Sequence, residues 1–390
     1  MAQRIQTIAN HLKGEPKSAR ERIMEKHDDD SFKDMSSSDL LVATLKAAKD
    51  SIGVDPSMVD DICIGTVLTP GAPYAGRAAA LTAGFPDTTP VEIINRFCSS
   101  GLMAVGTIAN QIRNGEIEIG LAVGFEDMTN NPDEGAVGLT EETKQHPVAK
   151  DCVMPMGWTS ENVAGDFNIS REKMDKWAAQ SHNRAEAAQK SGVFEAEIVP
   201  IPTPNGVVSK DDGIRYGTTP EGLAKIKGAF KQWPPSQTTG GNASQITDGG
   251  AFVLLTTRRR AKELGLPILA KHVLNVTAGL APRIMGIGPS VAIPKLLETA
   301  HLKPEDVDLY EINEAFSSMM VYCVEKLNLD PAKVNVNGGA VALGHPLGTT
   351  GARQIATGFN AIKRTGGKIL VTSMCIGLGM GAAGLFVNEQ

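Results

Sequence analysis

Apolar residues recur along this chain with two periods. Short runs suit buried strands, and stripes at i, i+3 and i+4 suit helices. One such run, Val91-Glu-Ile-Ile-Asn95, is followed by a tight turn and then by a stripe of Leu102, Val105, Ile108, Ala109 and Ile112. Further runs predict strands at 118–123, 250–256, 267–276, 307–312 and 368–373, and helical spacing predicts helices at 38–49, 170–190 and 290–299.

The pattern occurs twice. Residues 55–64 lie over 303–312, each a Pro-containing turn running into a short apolar strand. The stretch from Gly101 to Arg113 lies over that from Gly351 to Lys363: Val105 meets Ile355, Thr107 meets Thr357, Asn110 meets Asn360 and Ile112 meets Ile362. Repeated strand–helix alternation predicts an α/β protein of two similar halves, each with a largely parallel sheet covered by helices. Their βα turns are expected to converge on a shared site. By this duplication a strand should precede residue 38, as 267–276 precedes 290, yet 25–39 reads EKHDDDSFKDMSSSD and holds no apolar run. The first half is therefore expected to lack its opening strand. A polar region, 130–241, separates strand material on either side and reads as an insertion into the first half, of the kind that carries substrate contacts.

Composition narrows the function classes. A net charge of −6 over 390 residues gives no basic field for nucleic acid. Five cysteines without a Cys-x-x-Cys pair argue against a disulfide framework and a structural zinc site. No apolar run reaches the ~18 residues of a membrane span. Residues 1–30 are polar, with Arg4, Ile5, Ile8, His11 and Leu12 at helical spacing.

The chemistry gathers in turns that follow strands. Cys98 opens a helix, where the free N–H groups and the helix dipole favour thiolate. A lone cysteine there is more often a small core residue. His345 lies in the glycine-rich stretch 335–351, Cys375 in 374–384, and Asn313 in 311–316. A nucleophilic thiol with a histidine base supports covalent acyl chemistry. A second thiol, with an ordinary pKa of about 8, can carry a proton to and from carbon. Backbone N–H groups at Cys98 and Gly377 can form an oxyanion hole. The Gly379–Gly384 stretch fits the dinucleotide pattern, but only six residues follow it, so no βαβ unit can form.

On the motifs at 95–101, 313–316, 338–353 and 375–381 the chain resembles the thiolase family, and within it the degradative 3-ketoacyl-CoA enzymes of peroxisomes, over about residues 32–390. The resemblance implies two βαβαβαββ halves in a layered αβαβα arrangement. Its segments would be a targeting tail (1–30), the first half (31–129 and 242–264), an inserted CoA-binding loop domain (130–241) and the second half (265–390). It also implies roles. Cys98 accepts the acyl group, His345 takes its proton, Asn313 holds a water in one oxyanion hole, and Cys375 is the acid and base. The backbone at Cys98 and Gly377 makes a second oxyanion hole, while Arg215, Ser244, Met156 and Phe316 contact substrate or CoA. Coenzyme A enters as substrate, with no metal and no other cofactor. The partners implied are acyl-CoA, a second copy of the chain in a homodimer, and an import receptor reading Arg4-Ile5-x5-His11-Leu12, which is similar to the second type of peroxisomal signal. Two departures stand out. Phe97 occupies a position where the family usually has Gln. The absent opening strand is expected to be central to its sheet, leaving two neighbours unpaired. An inactive or misfolded variant lacking a core strand and a biosynthetic acetoacetyl-CoA enzyme stay open as alternatives to thiolytic cleavage.

Overall fold

The computed structural model describes residues 31–32, 34–135 and 138–390, so the reading of the 1–30 tail lies outside the described residues. Helix α1 (Ser37–Ser51) begins where the Ser36 side chain accepts from Asp39 N–H, and it buries Leu40, Leu41, Leu45 and Ala48. There follow β1 (Asp61–Gly65), α2 (Ala72–Ala83), β2 (Val91–Ile94), α3 (Ser100–Asn114) and β3 (Ile119–Glu126). Apolar periodicity did not mark α2, because its buried face is made of Gly76, Ala79, Ala80 and Ala83. Such small residues let the helix lie close on the sheet without an aliphatic stripe.

The chain then leaves the sheet for α4 (Glu141–Gln145), α5 (Met156–Asp166), α6 (Arg171–Lys190), the β4 (Ile201–Thr203) and β5 (Gly206–Val208) hairpin, and α7 (Pro220–Leu223). It returns as β6 (Gly249–Thr256), antiparallel to β3 over its whole length, and continues through α8 (Arg258–Glu263). The second half comprises β7 (Ala270–Gly279), α9 (Gly288–Ala300), β8 (Leu309–Ile312), α10 (Ser317–Leu327), α11 (Ala340–Leu343), α12 (Thr350–Thr365), β9 (Ile369–Ile376) and β10 (Met380–Asn388).

The sheets run β2-β1-β3-β6 and β7-β10-β9-β8, and Val334 bridges to Tyr310 on the outer side of β8. Helices α1 and α2 cover the first sheet through Leu41, Leu45, Ala80 and Ile64, with Val123 beneath. Helices α9 and α10 cover the second through Ala292, Leu296, Met320 and Val371. Between the sheets lie α3 and α12, whose Leu102, Val105, Ile108, Ile355 and Ile362 pack with Ala122, Leu370 and Met374. Helix, sheet, helix pair, sheet and helix therefore make five layers.

The duplication corrects one expectation. β7 lies at an edge, antiparallel to β10, and β10 corresponds to β6. A first-half counterpart of β7 would pair with β6 at the edge, not in the centre. The ladders joining β1, β2, β3 and β6 are continuous without it. Among the described residues β6 is the edge, and its Phe252, Val253, Leu254 and Leu255 are half-buried, whereas Ala382, Ala383, Leu385 and Phe386 of β10 are buried. At that edge a cavity of about 890 Å³ separates Leu40 and Thr44 of α1 from Arg353 and Ala356 of α12.

Candidate active site

Two helix N-termini meet at the centre of the molecule. A β-carbon at Gly101 would stand 2.5 Å from the Gly348 carbonyl oxygen, and one at Gly351 would stand 2.3 Å from Leu102 N. Only glycine allows backbones this close. The contact brings the Cys98 turn of the first half against the His345 turn of the second, as the aligned glycines of the repeat require.

The Cys98 turn is held by its own backbone and polar side chains. Ser100 N donates to Phe97 O at 2.9 Å, Phe97 N donates to Asn95 Oδ1 at 3.0 Å, and Arg96 N donates to Ser100 Oγ at 2.9 Å. Phe97 is left-handed, with φ 48°. For a non-glycine residue this costs about 1–2 kcal/mol, and such strain is concentrated at functional turns. The Phe97 ring and the Met156 Sδ each lie 3.7 Å from the position of a β-carbon at Gly377. Gly377 itself begins the link from β9 to β10, in which Leu378 (φ 68°) and Gly379 (φ 85°) are also left-handed. Its N–H is near enough to the Cys98 sulfur to favour the thiolate.

Cys375 is the penultimate residue of β9, opposite Gly381, fully buried. Its Sγ lies 3.5 Å from Met319 Sδ. It also interacts electrostatically with Cys98. His345 is 5 % exposed. Its Nδ1 lies 2.6 Å from Thr350 Oγ1, and its Nε2 lies 3.1 Å from Asn313 Nδ2. Thr350 Oγ1–H already donates to Pro346 O at 3.0 Å, so the hydroxyl accepts from Nδ1–H. That assigns the tautomer from its partners and leaves the Nε2 lone pair as the base. Asn313 Oδ1 is buried and has no hydrogen-bond partner among the described residues.

Electrostatics overturn two sequence-based expectations. The Cys98 thiol is pushed up to about 11, first by burial. The N–H groups of Gly377 and Cys98 pull it down, while the charges of Glu126 and Asp133 push it further up. The helix N-terminus therefore does not leave a resting thiolate, because removing the sulfur from water costs more than the nearby N–H groups return. Cys375 is likewise held well above the ordinary range, by burial first and then by Cys98 and Cys323, so the expectation of a value near 8 is corrected too. Burial takes His345 down to about 4. The two touching turns thus carry a neutral thiol and a neutral imidazole that keeps its lone pair down to about pH 4. Alkylation of Cys98 by iodoacetamide should rise about tenfold per pH unit from pH 7 to 10. A plateau already reached at pH 7 would reveal a thiolate–imidazolium pair instead.

The other candidate residues divide into two groups. Ser244 N donates to Ala315 O at 3.0 Å and Ala243 bridges to Phe316, so Ser244 and Phe316 stand together beside the Asn313 turn. Met156 reaches Gly377 from the start of α5. Arg215 is exposed on the insertion, its N–H donating to His182 Nδ1 at 3.1 Å and its carbonyl accepting from Thr218.

Three residues of the site were not singled out from the sequence. Thr350 sets the His345 tautomer. Glu126 ends β3. Glu314 accepts from Trp177 Nε1 (3.0 Å) and Ser181 Oγ (2.6 Å) of the insertion, and from Asn335 Nδ2 (2.9 Å) and Val341 N (3.2 Å) of the stretch leading to His345. A signal existed for Glu126, a carboxylate at the end of an otherwise apolar strand, but not for Glu314, which lies two residues beyond β8.

Among the described residues no cluster of His, Cys, Asp or Glu is arranged to hold a metal ion. No described helix is long and apolar enough to cross a membrane.

Comparison with known proteins identifies the family. The thiolase N-terminal domain profile matches residues 18–259 and the C-terminal domain profile matches 266–388. The peroxisomal 3-ketoacyl-CoA thiolase of Homo sapiens is 50 % identical, over 91 % of this chain and 86 % of that protein. That of Saccharomyces cerevisiae is 44 % identical over the whole of both. Among solved structures, the dimeric peroxisomal thiolase of Saccharomyces cerevisiae superposes with a TM-score of 0.87 at 46 % identity, over 92 % of this chain and 93 % of that one. The human mitochondrial 3-ketoacyl-CoA thiolase in complex with CoA gives 0.83 at 36 % identity, over 92 % and 94 %. The chain belongs to the thiolase family.

Proposed function

We propose that this chain cleaves 3-ketoacyl-CoA to acetyl-CoA and an acyl-CoA two carbons shorter, within fatty-acid β-oxidation, through an acyl group carried on Cys98. The observation that carries this reading is the packing of the Cys98 turn against the His345 turn through Gly101 and Gly348, with a second buried thiol, Cys375, close to the first. Cys98 lies against the Gly377 N–H and within electrostatic reach of Cys375, and His345 keeps its Nε2 lone pair.

Each residue then has a step. His345 Nε2 takes the Cys98 proton as Sγ attacks the C3 ketone. The oxyanion developing at C3 meets the N–H groups of Cys98 and Gly377, while His345 Nε2–H and a water fixed by the Oδ1 of Asn313 serve the oxygen of the departing enolate. Collapse of the adduct breaks C2–C3, leaving the acyl group on Sγ and an acetyl-CoA enolate. Cys375 gives that carbon its thiol proton, while N–H groups of Cys98 and Gly377 hold the thioester oxygen. The Cys375 thiolate then takes the proton of free CoA, whose sulfur attacks the acyl-cysteine. Cys98 leaves and recovers its proton from His345. The enolate is basic enough to take a proton from a raised thiol, and the same upward shift makes the Cys375 thiolate a stronger base toward CoA.

The insertion at 130–241 serves as the CoA-binding domain, with Arg215 near the phosphates, Ser244 beside the pantetheine, and Met156 and Phe316 along the acyl path. The working unit is a homodimer, in line with the dimeric yeast relative. The compartment is the peroxisome named for the close relatives, reached through an import receptor that reads the N-terminal tail.

Purified protein supplied with 3-ketoacyl-CoA substrates of increasing chain length and free CoA should release acetyl-CoA. Rapid quenching and peptide mass spectrometry should find the acyl adduct on Cys98. Turnover without that adduct, or an adduct on Cys375, would sink the assignment. Cleavage of acetoacetyl-CoA alone would favour the biosynthetic alternative.

A further inference from the structure

We propose that Glu126 is a positioning residue that fixes the His345 turn across the boundary between the two halves, an inference that rests on the thiolase reading of the site. Glu126 is the last residue of β3 and is fully buried. Its Oε1 accepts from Leu68 N at 2.8 Å and Thr66 Oγ1 at 3.2 Å. Its Oε2 accepts from Val67 N at 3.0 Å and Gly348 N at 2.8 Å. The first three donors belong to the turn after β1 in the first half. The fourth lies between His345 and Thr350 in the second.

This single carboxylate therefore closes a bond between halves whose equivalent turns carry the nucleophile and the base. The bond cannot be replaced by sliding, because the surroundings are backbone. A β-carbon at Gly348 would stand 2.5 Å from Phe125 O and 2.6 Å from Gly65 O. A buried carboxylate met only by neutral N–H and O–H donors, with no cation among its hydrogen-bond partners, is an expensive way to hold two loops. Its use here is directional. An acceptor with four lone-pair sites can draw three backbone N–H groups from two loops to one point, which a hydroxyl or an amide cannot. Gly348 is held three residues after His345, and the Pro346–Thr350 turn that follows delivers the Thr350 hydroxyl to Nδ1. The chain of contacts thus runs from Glu126 through Gly348 and Thr350 to the imidazole.

Glu126→Gln keeps the shape and reverses two of the acceptor sites. The expected result is a fall in kcat of about 10- to 100-fold at a KM within twofold of the parent. With histidine labelled at the ring carbon between its nitrogens, the His345 resonance should move, while that of His272, remote on β7, should stay. If Glu126→Gln does not fold, Thr66→Val weakens the same junction by one hydroxyl, and kcat should fall about threefold with the His345 resonance shifted in the same sense. A kcat per active site within twofold of the parent for Glu126→Gln, or an unmoved His345 resonance, overturns the proposal. If the parent protein proves not to turn over 3-ketoacyl-CoA, the thiolase reading fails by that result, and the His345 resonance alone decides the role of Glu126.

Discussion

Cys98→Ala leaves a folded protein that forms no acyl adduct and has lost turnover by a factor on the order of 10⁵ or more. The loss is this large because the other groups act on a bond that Cys98 must form first. Cys375→Ala is expected to separate the steps. Iodoacetamide should still label Cys98, since the thiol and its base remain, but cleavage should fall by about 10³-fold or more for want of a proton at carbon. The two variants are read by intact-protein mass after mixing with acyl-CoA, alongside release of acetyl-CoA. An acyl adduct surviving in Cys98→Ala would move the nucleophile elsewhere. Equal loss of Cys98 labelling in both variants would make Cys375 a structural thiol.

Gly351→Ala is expected to lower stability by about 3 kcal/mol or more, at the upper end of overpacking effects. The added carbon would stand 2.3 Å from Leu102 N and 3.0 Å from Leu102 Cα. Neither atom can rotate away as a side chain would, so α3 and α12 must part. The same movement carries Cys98 away from His345, and kcat should fall with stability. Gly165→Ala is the control. Gly165 is exposed within α5, a β-carbon there meets nothing within 4 Å, and the substitution should stabilise by about 0.5–1 kcal/mol. Urea unfolding of the two variants checks both. An unchanged midpoint for Gly351→Ala would mean that the helix contact is not as tight as drawn.

These outcomes trace which parts of the fold are written locally. The strands at 91–94, 119–126 and 369–376, and the helices that follow the repeat from Gly101 and Gly351, could be read from apolar spacing, because strand and helix periods are properties of a short window. Helix α2 could not, because an alanine face gives no stripe. The position of the opening strand was misjudged for a different reason. Strand order depends on pairing between segments far apart in the chain, and only the β7–β10 ladder shows that this position is an edge.

The candidate site divides in the same way. Cys98, His345, Asn313 and Cys375 stood out because glycine-rich turns after strands are local signals, and the duplication announced that two of those turns would meet. Their protonation could not be read. The helix N-terminus argued for a thiolate, yet burial by residues from both halves lifts Cys98 to about 11 and lowers His345 to about 4. The groups that orient them were hidden as well. Thr350 matters only because its hydroxyl is already committed to Pro346, and Glu126 only because Gly348 folds back onto it. Residue type and spacing thus determined the halves, their repeat and the candidates for the reactive groups, since each is encoded within a few turns of chain. Strand order, charge state and the orientation of the base were decided by the tertiary structure, because each depends on how much water is excluded and on which distant donor fills the last hydrogen bond.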